Sequence, residues 1–181
     1  MSDPTDPRRA EGPAVVTAGV AGPQLIVLDP AGLGKHGELP ATWRPLTGDR
    51  RVAWCREPTE GALGEAEDLL GGGSGESSAD IVASGPLAGE ALGLAERHPG
   101  AVRRILLVDP AAEGFLEAGR AADADADWMD VHRDRLAALH DEGTDVRVIA
   151  HSTGGARDQV PAPLPLGHPD VAAAVAGALR D

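Results

Sequence analysis

Five short apolar runs without polar alternation constrain this chain more than any other feature. Gln24–Asp29 reads Gln-Leu-Ile-Val-Leu-Asp, and comparable runs recur at Arg51–Cys55, Asp80–Ala83, Arg104–Asp109 and Asp145–Ala150. A strand with one wet face alternates polar and apolar residues, whereas a continuously apolar strand is buried on both faces, as in a parallel sheet covered by helices. The stretches between the runs supply those helices. Glu60–Leu70 stops at Gly71-Gly72-Gly73-Ser74-Gly75, and Leu87–His98 stops at Pro99-Gly100. Trp128–Asp141 sets Trp128, Val131, Arg135, Leu136 and Leu139 near one face, and Asp170–Leu179 closes the chain. Leu39–Gly48 is a poorer helix, interrupted by Pro40 and Pro45. Val15–Val20 adds a short edge strand.

Strands alternating with helices imply βαβ units. The expected fold is α/β: one domain over residues 14–181 with a mostly parallel central sheet and helices on both faces. Residues 1–13, rich in proline and charge, read as a disordered tail. The chain has 181 residues, within the size of one domain, and 42% of them are hydrophobic. With three Trp, one Phe and no Tyr, its core must be mainly aliphatic.

Charge narrows the partners. Lys+Arg 16 against Asp+Glu 29 gives a formal charge of -13. Such a surface repels phosphate backbones and anionic lipid, so neither nucleic acid nor a membrane is an expected partner. No apolar run approaches the roughly 20 residues that span a bilayer. The first residues lack the apolar stretch of a signal peptide, and the lone Cys55 fits a reducing compartment, so the expected location is cytoplasmic.

Three segments carry a resemblance. Ile81-Val82-Ala83-Ser84-Gly85-Pro86-Leu87-Ala88-Gly89 is followed by Leu94-Ala95-Glu96-Arg97-His98-Pro99 and by Val102-Arg103-Arg104-Ile105-Leu106-Leu107-Val108-Asp109-Pro110. Together they resemble the middle of an α/β-hydrolase: the strand before the nucleophile, the elbow helix and the next strand. Leu25–Leu28 resembles that family's third strand, and Trp43-Arg44-Pro45-Leu46 before Arg51-Val52-Ala53 is also similar to it. Arg157-Asp158-Gln159-Val160-Pro161 resembles the loop of the catalytic acid, and Gly167-His168-Pro169-Asp170 the segment of the catalytic histidine. The likeness spans roughly residues 24–181. It implies hydrolysis of an ester or thioester, with no cofactor.

The chain departs from that pattern where the chemistry should be. The family's elbow is G-x-S-x-G on a sharp strand-to-helix turn. Counting back from Arg97-His98-Pro99 places Gly85 at the nucleophile position, followed by Pro86, while Ser84 comes one residue early. Glycine has no side chain to attack with. Where many members carry His-Gly in the oxyanion loop, this chain has Asp29-Pro30-Ala31-Gly32; proline offers no N–H, and a carboxylate opposes a developing oxyanion. The lid is reduced to Ala111–Asp127, whose Ala/Asp run from Ala121 reads as a solvated loop or helix start.

Asp158 and His168 are the best acid and base, since both fall at the carboxyl ends of the last strands, where open α/β sheets bind ligands. Their structural alternative is a surface turn for Asp158 and a helix cap for His168. Ala150-His151-Ser152-Thr153-Gly154 is a second elbow-like string after an apolar strand, which makes Ser152 a candidate nucleophile. Against it, Pro161, Pro163 and Pro165 interrupt the helix an elbow should open; the alternative is a polar loop at a strand end. Gly32-Leu33-Gly34-Lys35-His36-Gly37 spells the dinucleotide-binding glycine pattern, but the helix that should follow holds Pro40. Cys55, at a strand end, reads as a buried thiol. The six histidines lack the spacing of metal ligands, and no metal site is expected.

The expectation is therefore an α/β-hydrolase-fold protein without standard serine chemistry, binding a small apolar ligand or a partner protein. The alternatives are a hydrolase using Ser152 or Ser84 with His168 and Asp158, and a nucleotide-binding module through Gly32–Gly37.

Overall fold

A computed structural model describes residues 12–19, 22–32, 37–72, 78–112, 120–153, 160 and 162–181. The terminal stretch 1–11 lies outside them. Six strands form one sheet: β1 (Val15–Ala18), β2 (Gln24–Asp29), β3 (Arg51–Arg56), β4 (Ala79–Ser84), β5 (Val102–Val108) and β6 (Asp145–Ala150). Their spatial order is β1-β3-β2-β4-β5-β6. β1 pairs antiparallel with β3, and every other pair is parallel. The five apolar runs are thus the five parallel strands, and Val15–Ala18 is an edge strand.

Because side chains alternate across a strand, each run feeds two cores. Ile26, Leu28, Ile81, Ala83, Ile105 and Leu107 pack with α1 (Ala62–Gly71), α2 (Ala88–Arg97) and Leu139. Leu25, Val27, Val52, Trp54, Val82 and Leu106 pack with the 3₁₀ helix Ala41–Gly48 and with Val171 and Val175 of α5 (Pro169–Ala178). Helices therefore cover both faces of a mostly parallel sheet. Aromatics are few, yet Trp43 and Trp54 are wholly buried and meet edge to face at 5.0 Å. Among the described residues no helix is long and apolar enough to cross a membrane.

The expected single helix over Trp128–Asp141 is two helices, α3 (Ala121–Val131) and α4 (Arg133–Asp141). His132 separates them and sets its ring Nδ1 2.8 Å from the carbonyl of Trp128, where side chain and ladder compete for one oxygen. Because α3 begins in the Ala/Asp run, its inward stripe is Ala121, Asp125 and Trp128, spaced i, i+4, i+7. Val131 falls off that stripe and is 81% exposed, contrary to the sequence expectation. Arg135 leaves the expected core face to pair with Glu96 of α2.

At the amino end of the sheet, the buried Asp80 gathers three guanidiniums. Arg50 Nη1, Arg103 Nη2 and Arg104 Nε lie 3.1, 2.8 and 3.0 Å from its oxygens. Arg104 also donates to the carbonyl of Ala178 at 2.7 Å, and Arg50 to that of Leu179 at 3.1 Å. These are end carbonyls of α5, which lack partners within their helix. The edge strand β6 carries Arg147, paired with Asp145 and Asp181, and charge on an edge discourages pairing with another chain.

Candidate functional site

Open parallel sheets bind ligands beyond the carboxyl ends of their strands, and the expected site residues lie there. β4 runs through Ser84 into a 3₁₀ turn, Gly85–Leu87, that feeds α2. Gly85 has φ +51, a left-handed conformation that glycine adopts without steric cost. A Cβ at this position would lie 2.8 Å from the carbonyl oxygen of Ala112 and 3.0 Å from Cγ of Pro163. The space a nucleophile would occupy is filled. The same two segments supply Ala112 and Ala162 to a small cluster with Ala121 of α3.

The neighbouring serines are turned to structural use. Ser84 is buried and its hydroxyl donates to the carbonyl of Leu164 at 3.5 Å. Ser152 is also buried; its hydroxyl donates to the Val160 carbonyl at 2.6 Å, and its amide to Oδ1 of Asp109 at 2.8 Å. Asp109, at φ +45, accepts a second amide, that of Leu164, on Oδ2 at 2.6 Å. A wholly buried carboxylate needs such donors, and here it fastens the loop after β6 to the segment before α5. Its place at the end of an apolar run carried no sign of this latch.

The positions expected to form an oxyanion loop are equally committed. Oδ1 of Asp29 accepts from the Ala31 amide at 2.9 Å, and Oδ2 from the Trp54 indole at 2.9 Å. Pro30 has no N–H to offer, and the Gly32 carbonyl accepts from the buried Arg56 at 3.3 Å. Leu33, Gly34, Lys35 and His36, the middle of the expected dinucleotide pattern, lie outside the described residues, as does Asp158. Cys55 is buried at the end of β3, and that burial, reinforced by Glu65, pushes its thiol up to about 12.

His168 is the N-cap of α5: its Nδ1 accepts the Asp170 amide at 3.2 Å. The cap position is fixed from behind by the Trp43 indole on the Leu166 carbonyl at 2.6 Å and by the Thr42 hydroxyl on the Gly167 carbonyl at 2.9 Å. His168 and Ser152 nevertheless line one cavity of about 270 Å³, with Ile149, His151, Thr153 and Leu164. The structure thus brings two of the four expected catalytic residues to one cleft, at the carboxyl end of β6. Ser84 contacts Leu164 from the direction of the elbow. A larger groove of about 600 Å³ lies between the 3₁₀ helix and α5; of the two arginines that line it, Arg50 is spent on Asp80.

One pair escaped the sequence reading. His151 Nδ1 sits 3.6 Å from Oδ2 of Asp125, whose side chain is only 3% exposed. Oδ1 of Asp125 accepts the Ala111 amide at 3.1 Å, while Oδ2 accepts no hydrogen bond among the described residues. Burial raises the Asp125 carboxyl to about 6, the Ala111 hydrogen bond opposing and Asp109 reinforcing the rise. The i, i+4, i+7 spacing of Ala121, Asp125 and Trp128 was the available signal. Among the described residues no group of three or more His, Cys, Asp or Glu is placed to hold a metal ion. No family model matches the chain, and no curated protein sequence matches it.

Proposed function

We propose that this chain is an α/β-hydrolase-like protein that has kept the elbow as a turn and lost it as a reactive centre, and that it acts by binding a small ligand in the cleft at the end of β6. The observation that carries the proposal is Gly85. The sharp strand-to-helix turn with a positive φ is the setting in which that family holds its nucleophile, yet the side-chain space is taken by Ala112 and Pro163.

The surroundings agree. In such enzymes the residue after the nucleophile donates one oxyanion hydrogen bond; here it is Pro86, which has no N–H. The loop after β2 has Pro30, and its Ala31 amide is bonded to Asp29. Two polarising donors are thus missing, and each such donor is worth roughly 3 kcal/mol of transition-state stabilisation. Among the described residues no imidazole holds either serine hydroxyl; each donates to a backbone carbonyl. The cleft offers a mostly apolar wall, including Ile149, Leu164 and Ala174, together with the polar side chains of His151, Ser152 and His168, which suits a ligand with an apolar body and one polar head.

The test is exposure to a fluorophosphonate probe together with short-chain aryl esters and thioesters. No covalent labelling and only buffer-level hydrolysis are expected. Stoichiometric labelling, removed by Ser152→Ala, would instead establish an active serine hydrolase.

A further inference from the structure

The cleft contains two imidazoles, and their partners give them opposite polarity. His168 accepts the Asp170 amide on Nδ1 at 3.2 Å, a hydrogen bond that outweighs the exposed Asp170 carboxylate 3.8 Å from the same nitrogen. Its neutral ring therefore carries the proton on Nε2 and has a donor left. His151 turns Nδ1 toward the carboxylate of Asp125 at 3.6 Å. That neighbour favours a proton on Nδ1, which leaves Nε2 of the neutral ring as an acceptor. Asp125 is fixed in this role because its other oxygen is bonded to the Ala111 amide and its side chain is almost wholly out of water. An oxygen buried without a hydrogen bond is costly, and the ring of His151 is the donor placed to relieve it. The groups facing Asp125 are the Ala111 amide, Asp109 and His151.

We propose that His151, oriented by the buried Asp125, and His168 form an acceptor–donor pair that selects small neutral ligands with a carboxamide head and an apolar body. The amide N–H₂ donates to His151, and the amide carbonyl accepts from His168. A carboxylate fits poorly, since it offers no proton to His151 and meets the carboxylate of Asp170, which lines the same cleft. The volume is suitable: a cavity of about 150 Å³ holds benzene, so about 270 Å³ accommodates a ring with one polar substituent. The inference rests on the binding role proposed above and adds the ligand class.

The experiment uses the full chain at pH 8, where free imidazole is neutral and Asp125, near 6, is ionised. Benzamide, benzoate and toluene are titrated separately while backbone amide shifts and the imidazole nitrogen shifts of His151 and His168 are followed by NMR. Benzamide is expected to shift residues 149–153 and 168 and to bind about tenfold more tightly than either analogue, the ratio expected for one matched hydrogen bond. The free protein should show His151 as the Nδ1–H tautomer and His168 as the Nε2–H tautomer. In Asp125→Asn, with the amide oxygen still on Ala111, the side-chain N–H₂ faces His151 and reverses its tautomer. The benzamide preference should then vanish while the protein stays folded. Equal or tighter binding of benzoate, or an Nε2–H tautomer for His151 in the parent protein, would overturn the ligand class and leave the binding cleft intact. If none of the three probes shifts the cleft residues, the binding role itself falls.

Discussion

The two ends of the sheet bury carboxylates in opposite ways. At the amino end Asp80 is met by three guanidiniums. At the carboxyl end Asp109 is met by two backbone amides, and Asp125 by one amide with an imidazole nearby. Guanidiniums on long side chains join distant elements: Arg50, β4, β5 and the end of α5. Amides shape the backbone that donates them, so Asp109 and Asp125 set the course of loops instead. The amino end is a clamp and the carboxyl end a mould. Ligand sites need the second kind, because a mould leaves concave space.

Breaking the clamp should have the largest effect. Asp80→Ala leaves three partly buried cations without their counter-charge, a change that costs about 3–5 kcal/mol. Urea denaturation would measure it, and a loss comparable to that of a surface pair would mean the clamp is decorative.

Filling the mould comes next. Gly85→Ser forces a side chain into a left-handed conformation and against Ala112 and Pro163, for roughly 2–4 kcal/mol together. The variant should be less stable and gain no esterase activity. A stable variant that hydrolyses aryl esters would show that the elbow is open.

The third prediction concerns pH. The Asp125 carboxyl is raised by burial to about 6. A carboxyl raised on folding contributes stability that is full below its ordinary range near 4 and is lost as pH climbs through about 6. Asp125→Asn removes that loss. Its stability relative to the parent should rise by about 1 kcal/mol between pH 5 and pH 8, read as a difference in denaturation midpoints at each pH; a flat difference would place Asp125 in a wetter site.

The smallest effect belongs to His168→Ala. Removing the N-cap of α5 should cost about 1 kcal/mol, visible as a slightly lowered melting temperature.

Much of the fold could be read in advance because its signals are local. Each apolar run is a strand, and Gly and Pro mark most helix ends. The 3₁₀ helix at Ala41–Gly48 kept the weakness that Pro40 and Pro45 announced. The misreading of Trp128–Asp141 arose because the pattern was started seven residues late; with Ala121 as its origin, Val131 faces water and Asp125 faces inward. The site was legible only in part. Gly85 stood out as a missing side chain, but that Ala112 and Pro163 fill its space depends on segments 27 and 78 residues away. His168 as a cap was the structural alternative considered. The Asp125–His151 pair joins a helix to a strand end 26 residues later, and no local pattern encodes that distance.

The clamp at Asp80 also bears on how the protein is made. Arg50 and Arg104 find their carbonyl partners at Leu179 and Ala178, which a ribosome adds after every strand of the sheet. Domains are completed during or after synthesis from the amino end onward. During translation, then, β2, β3, β4 and β5 can be present while α5 is missing. During that interval Val27, Val82 and Leu106 lack the helix that covers them. Closure on this face waits for α5, so a nascent chain stalled before it should be a substrate for chaperones.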